Sequence, residues 1–302
     1  MKQVLKAFLR SAASRAPWGA REAILNGCLD AMRTPDMYGH LLPRLKISEI
    51  TAAGDRGMIS SDARDTMVIT EYAQTGTFAP MVTETIQKFF MPSGGTYLDI
   101  GANIGLMTVP FARDPRIHCI AFEPEPANFD FLRRNVARNA PDATAALHQI
   151  ALFHSHTTLS LTIAEGNIGD HRVTISGVPG RRSVDVPAVP LDDFIAEITM
   201  PLAVKIDTQG AEPFIIAGGQ QVLAKAGLLV MEFCPYLMRQ LDGDPETPIA
   251  LVSGFTSVAV IRGGKPDLPR YVSPDEAIVM LREKLRTALN TDEDYLDIIA
   301  LR

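Results

Sequence analysis

The chain has 302 residues, 46% of them hydrophobic and 21% charged, a composition that fits a folded globular protein and excludes a disordered or fibrous one. Its 29 basic and 35 acidic side chains leave a formal charge of −6, the wrong sign for a protein that lives on a phosphate backbone, so no nucleic-acid partner is expected. Three scattered cysteines, Cys28, Cys119 and Cys234, form neither a metal knuckle nor a disulfide frame, and this usage fits a reducing cytoplasm.

Residues 1 to about 45 read as helices broken at Pro17, Pro35 and Pro43. In the first, Val4, Leu5, Phe8, Leu9 and Ala12 share a face, while Lys6 and Arg10 interrupt any signal-peptide core. That helix is expected to pack on the domain, with weak contact to a membrane surface as the alternative. No apolar run reaches the ~20 residues that span a bilayer. K-I-S-E-I-T, A-G-D-R-G and M-I-S-S then read as a short hairpin, followed by helices from about Thr66 to Gln74 and from Pro80 to Phe90. Residues 1–75 are read as a helical N-terminal extension with that hairpin, and 76–302 as the main domain.

From Pro92 onward strands and helices alternate, which implies a mainly parallel sheet with crossover helices. Seven strands are expected: Thr96–Ile100, His118–Glu123, Leu147–Leu152, Leu202–Asp207, Leu228–Phe233, Phe255–Arg262 and Tyr295–Leu301. Between the third and fourth, T-T-L-S-L-T-I and H-R-V-T-I-S read as an added β-hairpin, and V-D-V-P-A-V-P as a further extended piece. Asp192 is a plausible N-cap for a short helix after Leu191. A longer helix runs from about Pro274 to Leu289.

The motif richest in chemistry is Y-L-D-I-G-A-N-I-G at 97–105, an apolar strand ending in Asp99 and a glycine turn, Gly101 to Gly105. Glycines let the backbone approach a ligand with no Cβ in the way. The dinucleotide fingerprint needs a middle glycine where Asn103 stands, which disfavours a nicotinamide cofactor. About twenty residues on, A-F-E-P-E-P ends a strand in Glu123, positioned to accept hydrogen bonds from ribose hydroxyls.

These motifs resemble the FkbM-type methyltransferases, class I S-adenosylmethionine-dependent enzymes of Rossmann-like fold whose characterised members methylate hydroxyls on natural products and sugars. D-I-G-A-N-I-G and A-F-E-P-E-P-A-N-F look like the family's first two motifs, and Ile150-Ala151-Leu152 sits where it has its third-strand segment. Val189-Pro190-Leu191-Asp192-Asp193 resembles its T-L-D-D element, K-I-D-T-Q-G-A-E at 205–212 its K-I-D-V-E-G-A-E, and Met231-Glu232-Phe233 its L-E-F. The resemblance covers about residues 78–233. It implies S-adenosyl-L-methionine as cofactor, with Asp99 and Gly101 at the methionine end, Asn103 and Gly105 in the loop over it, Glu123 on the ribose and Ala151 near the adenine. Asp207 would face the reacting centre. Two departures stand out: Gln209 where many members have Glu, and Pro110, expected to kink the first crossover helix.

Methyl transfer to an alcohol needs an aligned nucleophile and a proton acceptor. Lys205, Asp207 and Glu212 cluster at a strand end and helix start, with Lys205 and Asp207 on one strand face. Glu212 is also favoured where it stands by the helix dipole alone. The loop N-I-G-D-H-R offers His171 as a base, with Asn167, Asp170 and Arg172 as contacts for the acceptor. His148, His154 and His156 lack further ligands at metal spacing, so no metal is expected. The reading is an O-methyltransferase acting on a sugar or other small hydroxylated metabolite, free or carried on a larger glycan or lipid. The alternatives are methylation of nitrogen or protein, and S-adenosylmethionine binding without catalysis.

Overall fold

The turn A-G-D-R-G folds the chain back on itself. β1 (Glu49–Gly54) and β2 (Gly57–Asp62) pair antiparallel, with Gly54 opposite Gly57. The computed structural model describes residues 48–65, 67–164, 169, 171–174, 182–263 and 269–302; the helices expected before residue 45 lie outside them. α1 (Val68–Thr75) follows the hairpin, and α2 (Pro80–Phe90) begins at a proline, whose fixed φ suits the first helical position. Asp65 starts α1, its buried carboxylate accepting from the N–H groups of Met67, Val68 and Ile69. One side chain thus satisfies three donors that a helix start leaves orphaned.

β3 (Gly95–Ile100) is buried at all six positions, as a strand covered on both faces requires. α3 (Val109–Ala112) is a single turn with Pro110 in its first positions, so Pro110 opens a short helix instead of kinking a long one. β4 (Ile117–Phe122) matches the strand expected there closely, and α4 (Pro126–Asn139) follows it. The expected third strand does not stay whole. β5 (Ala146–His148) pairs with β4, while β6 (Ala151–Leu152) joins a second sheet.

That second sheet replaces the simple hairpin expected there. It has four strands in the order β6, β9 (Ser183–Val189), β7 (Thr157–Thr162), β8 (Arg172–Thr174). A 3-10 turn, Leu191–Glu197, follows. Asp192 does not cap it. Its carboxylate accepts instead from the N–H groups of Gln221 and Val222, and so starts a different helix, 30 residues on.

The main sheet resumes with β10 (Leu202–Ile206), α5 (Glu212–Gly218), α6 (Gln220–Leu223) and β11 (Ala226–Phe233). α7 (Pro235–Gln240), α8 (Glu246–Val252), β12 (Ser257–Arg262), β13 (Tyr271–Val272), α9 (Pro274–Thr287) and β14 (Leu296–Leu301) complete it. Its order is β13-β12-β14-β11-β10-β3-β4-β5, eight strands where seven were expected, the extra one being the two-residue edge strand β13. β5, β4, β3, β10 and β11 run parallel, and β14 enters antiparallel between β11 and β12.

Alternate residues of the strands feed two apolar cores, one on each face. Leu98, Val204 and Met231 point to one, Tyr97, Ala203 and Val230 to the other. Ile50, Ile59 and Tyr72 belong to the second core, so the hairpin and α1 share a core with the main sheet.

Candidate functional site

β3 is the first strand of the main sheet in the chain, and it lies near the middle. From it the chain builds outward through β4 to β5, then returns to its other side for β10 and β11. Such a reversal opens a crevice at the carboxyl ends of the strands, and a cavity of about 500 Å³ lies there, lined by Gly101, Asn103, Glu123, Ala151, Lys205 and Asp207 among others.

The glycine turn fits its packing. Gly101 takes φ 81°, and a Cβ there would sit 1.9 Å from the Asp207 carbonyl oxygen. Gly105 takes φ 94° and packs against Leu132; it is not among the cavity-lining residues. Asn103 adopts φ 51°, a region that Asn tolerates better than most residues. It acts through its backbone: its N–H donates to Glu123 Oε2 at 2.8 Å, while Glu125 N–H donates to Oε1 at 2.9 Å. Both Glu123 oxygens are thus aimed, each with a lone pair left. Burial pushes the carboxyl up to about 7, against the pull of the two amides.

The turn is held from behind by the hairpin. Arg56 is buried, and its guanidinium donates to the carbonyls of Leu106 and Phe78 and to Thr83 Oγ1. Asn135 of α4 donates to the carbonyls of Ile104 and Ser60. Arg56→Ala is expected to destabilise the protein by about 1.5–3 kcal/mol, the range for hydrogen bonds to a charged group. Urea unfolding checks this, and an unchanged midpoint would remove Arg56 from the account.

Asp99 does not face the cavity. It is fully buried behind the turn, where Oδ2 accepts from Thr108 Oγ1 at 2.6 Å and Oδ1 pairs with Lys205 Nζ at 3.3 Å. Lys205 also donates to Gly101 O at 3.0 Å and lies 3.6 Å from Asp207 Oδ2. Burial pulls the ammonium's pKa down, but Asp99 and Asp207 outweigh it and hold Lys205 above its ordinary value. Asp99 therefore acts on the turn through Lys205.

Asp207 is 42% exposed and lines the cavity. Gln209, with φ 57°, donates through Nε2 to Asp207 Oδ1 at 3.2 Å and to Glu232 Oε1 at 3.3 Å. Glu212 turns away. Its carboxylate accepts from Thr208 N–H, Thr208 Oγ1 and Gly210 N–H, closing the loop after β10, and it does not line the cavity. The position in the first helical turn is as expected, but the catalytic role is replaced by a structural one. Burial pushes its carboxyl up to about 6.

His171 lines the cavity, but its Nδ1 accepts from Ala164 N–H at 3.0 Å. The neutral ring then carries its proton on Nε2, so it presents a donor and not the basic nitrogen that the sequence reading required. Arg172 pairs with Asp292 at 2.6 Å, tying β8 to the segment before β14, and this engages the side chain expected to contact the acceptor. Asn167 and Asp170 lie outside the described residues. No group of three or more His, Cys, Asp or Glu that could hold a metal occurs among the described residues.

Glu71, Glu232, Glu293 and Tyr295 also line the cavity and were not singled out as site residues. Only Glu232 had a signal, its position in the third of the late motifs. Burial, then Asp207, Glu212 and Asp297, push the Glu232 carboxyl well above its usual range. Asp297, opposite it on β14, is pushed up to about 7 by burial and Asp207.

The fold and its crevice define a doubly wound, Rossmann-like α/β protein with a nucleoside-type site at the strand ends. Residues 99–243 match the family model of the methyltransferase FkbM domain. It is 40% identical over 73 residues to Methyltransferase sdnD of Sordaria araneosa, a stretch spanning 24% of this chain and 28% of that protein. Over 217 residues it is 28% identical to Methyltransferase 1 of Beauveria bassiana (strain ARSEF 2860), covering 64% of this chain and 82% of that one. Among solved structures, the O-methyltransferase from Bacillus cereus in complex with SAH is similar at TM-score 0.40 and 14% identity, over 80% of this chain and 92% of that one.

Proposed function

We propose that this protein is an S-adenosylmethionine-dependent methyltransferase that methylates a hydroxyl on a sugar or other small metabolite. The observation that carries the reading is the Glu123 carboxylate, pinned by two amides beside the glycine turn in a cavity whose other charges are mostly carboxylates. A vicinal diol would donate to Glu123, and the apolar wall of Phe122, Ile150, Ala151 and Leu152 suits a purine. The acidic lining of the cavity disfavours a pyrophosphate.

The cofactor when bound supplies an electrophilic methyl group on a cationic sulfur. The acceptor oxygen forms the new C–O bond as the C–S bond breaks, the electron pair staying on sulfur. Asp207 receives the hydroxyl proton, oriented by Gln209 and held beside Lys205. Titration with S-adenosylmethionine is expected to give binding and titration with NAD none; the reverse would sink the reading.

The Glu123 carboxyl adds a pH signature. In the free protein it keeps its proton up to about 7, whereas the diol needs the carboxylate as acceptor. Cofactor affinity is therefore expected to rise with pH and level off above that value, with proton release on binding below it. In the unfolded chain the same group titrates near ~4.3, so its contribution to stability falls as pH rises from there to about 7. Calorimetry in buffers of different ionisation enthalpy checks the release, which Glu123→Gln should abolish.

A further inference from the structure

Across the sheet, Glu123 follows β4 on one side of β3, while Asp207, Glu232 and Tyr295 lie on the other, at β10, β11 and the approach to β14. The nucleoside half of the cavity and its far half are thus built by different strands. The far half has an unusual charge state. Glu71 of α1 and Glu293 both line it, and neither carboxylate has a hydrogen bond or ion pair with any described residue. Glu232 takes the Gln209 amide on Oε1 and nothing on Oε2. The Tyr295 phenol lies among them, pushed up by burial and then by Asp297, Glu232, Asp207 and Glu71.

Among the described residues, Lys205 is committed between Asp99 and Asp207, and Arg172 is committed to Asp292. Glu71 and Glu293 are exposed, but Glu232 is half-buried, and a carboxylate withdrawn from water without a counter-charge costs free energy. A ligand that brings the missing cation recovers that cost, a neutral one does not, and an anionic one adds repulsion. Carboxylates beside an aromatic ring are also the recognition chemistry of an ammonium group.

We propose that the acceptor carries a protonated amine as well as the hydroxyl that is methylated, and that Glu232, Glu71 and the Tyr295 ring hold this ammonium. The proposal rests on the methyltransferase reading and narrows its substrate to hydroxylated amines, such as amino sugars or amino alcohols. The transfer step is the one written above. Asp207 still takes the hydroxyl proton, and the ammonium keeps its own.

The test uses the full chain, S-adenosylmethionine labelled in its methyl group, and a small-molecule extract of the cells that produce the protein. Charcoal removes residual cofactor through its adenine, and the labelled product is run on cation- and anion-exchange resins at neutral pH. The expected result is label retained on the cation exchanger, and lost when the amines of the extract are acetylated before the reaction. Glu232→Gln and Glu71→Gln should each raise KM for the purified acceptor by about tenfold, with cofactor Kd unchanged. Neutral or anionic labelled product, label indifferent to acetylation, or an unmoved KM in both variants would overturn the proposal and leave the methyltransferase reading standing. No label in any fraction would count against both.

Discussion

Asp99→Ala is expected to destabilise the folded protein by about 3–5 kcal/mol, because it leaves a buried ammonium with one carboxylate in place of two. Asp99 is fully buried, and Lys205 lies beneath the glycine turn with only 11% of its side chain exposed. Asp207, the remaining partner, is half in solvent and farther away. The coupling has a signature. Lys205→Met placed on top of Asp99→Ala should recover much of the loss, since it removes the stranded charge. Urea unfolding of the two single variants and the double variant measures it. A cost for Asp99→Ala below about 1 kcal/mol, an ordinary surface value, would mean that the pair does not hold the turn.

Asp207→Asn is expected to keep the fold and lower kcat by about 10²–10⁴-fold, the usual worth of a positioned proton acceptor. The substitution nearly preserves volume. Lys205 keeps Asp99, so stability should change little. The Gly101 turn and Glu123 are untouched, so cofactor Kd should stay within about threefold, roughly 0.7 kcal/mol. Steady-state kinetics with labelled cofactor separates the two quantities. If kcat also stays within that factor, the proton goes elsewhere. Glu232, joined to Asp207 through the Gln209 amide, is then the next group to test.

Much of the fold was legible because its strands are apolar runs that end in punctuation. Asp99 and Glu123 each close such a run, and the glycine turn follows the first. What the sequence hid is where side chains meet across the sheet. Lys205 and Asp99 are register partners on β10 and β3, 106 positions apart, so nothing local identifies their pairing. The third strand read as one run, yet it divides after His148 between two sheets, which only the pairing partners reveal. For His171 the intrinsic pKa was visible and the tautomer was not, because a backbone N–H seven residues upstream sets it. Arg172 was read for its charge before its partner, Asp292, could be known. Glu71, Glu232 and Tyr295 come from three distant segments, and neighbours of that kind leave no mark in a local pattern.

β14 follows every other described strand in the chain, yet it lies inside the sheet, between β11 and β12. During vectorial synthesis β11 emerges long before its second neighbour, and so does β12. Until Leu296–Leu301 has left the ribosome, both present an open row of backbone donors and acceptors along apolar strands, L-L-V-M-E-F and S-V-A-V-I-R. Chains crowded on one polysome would then offer each other matching edges. The insertion of β14 closes both at once, so the aggregation hazard at this seam belongs to the nascent chain and ends when the sheet is complete.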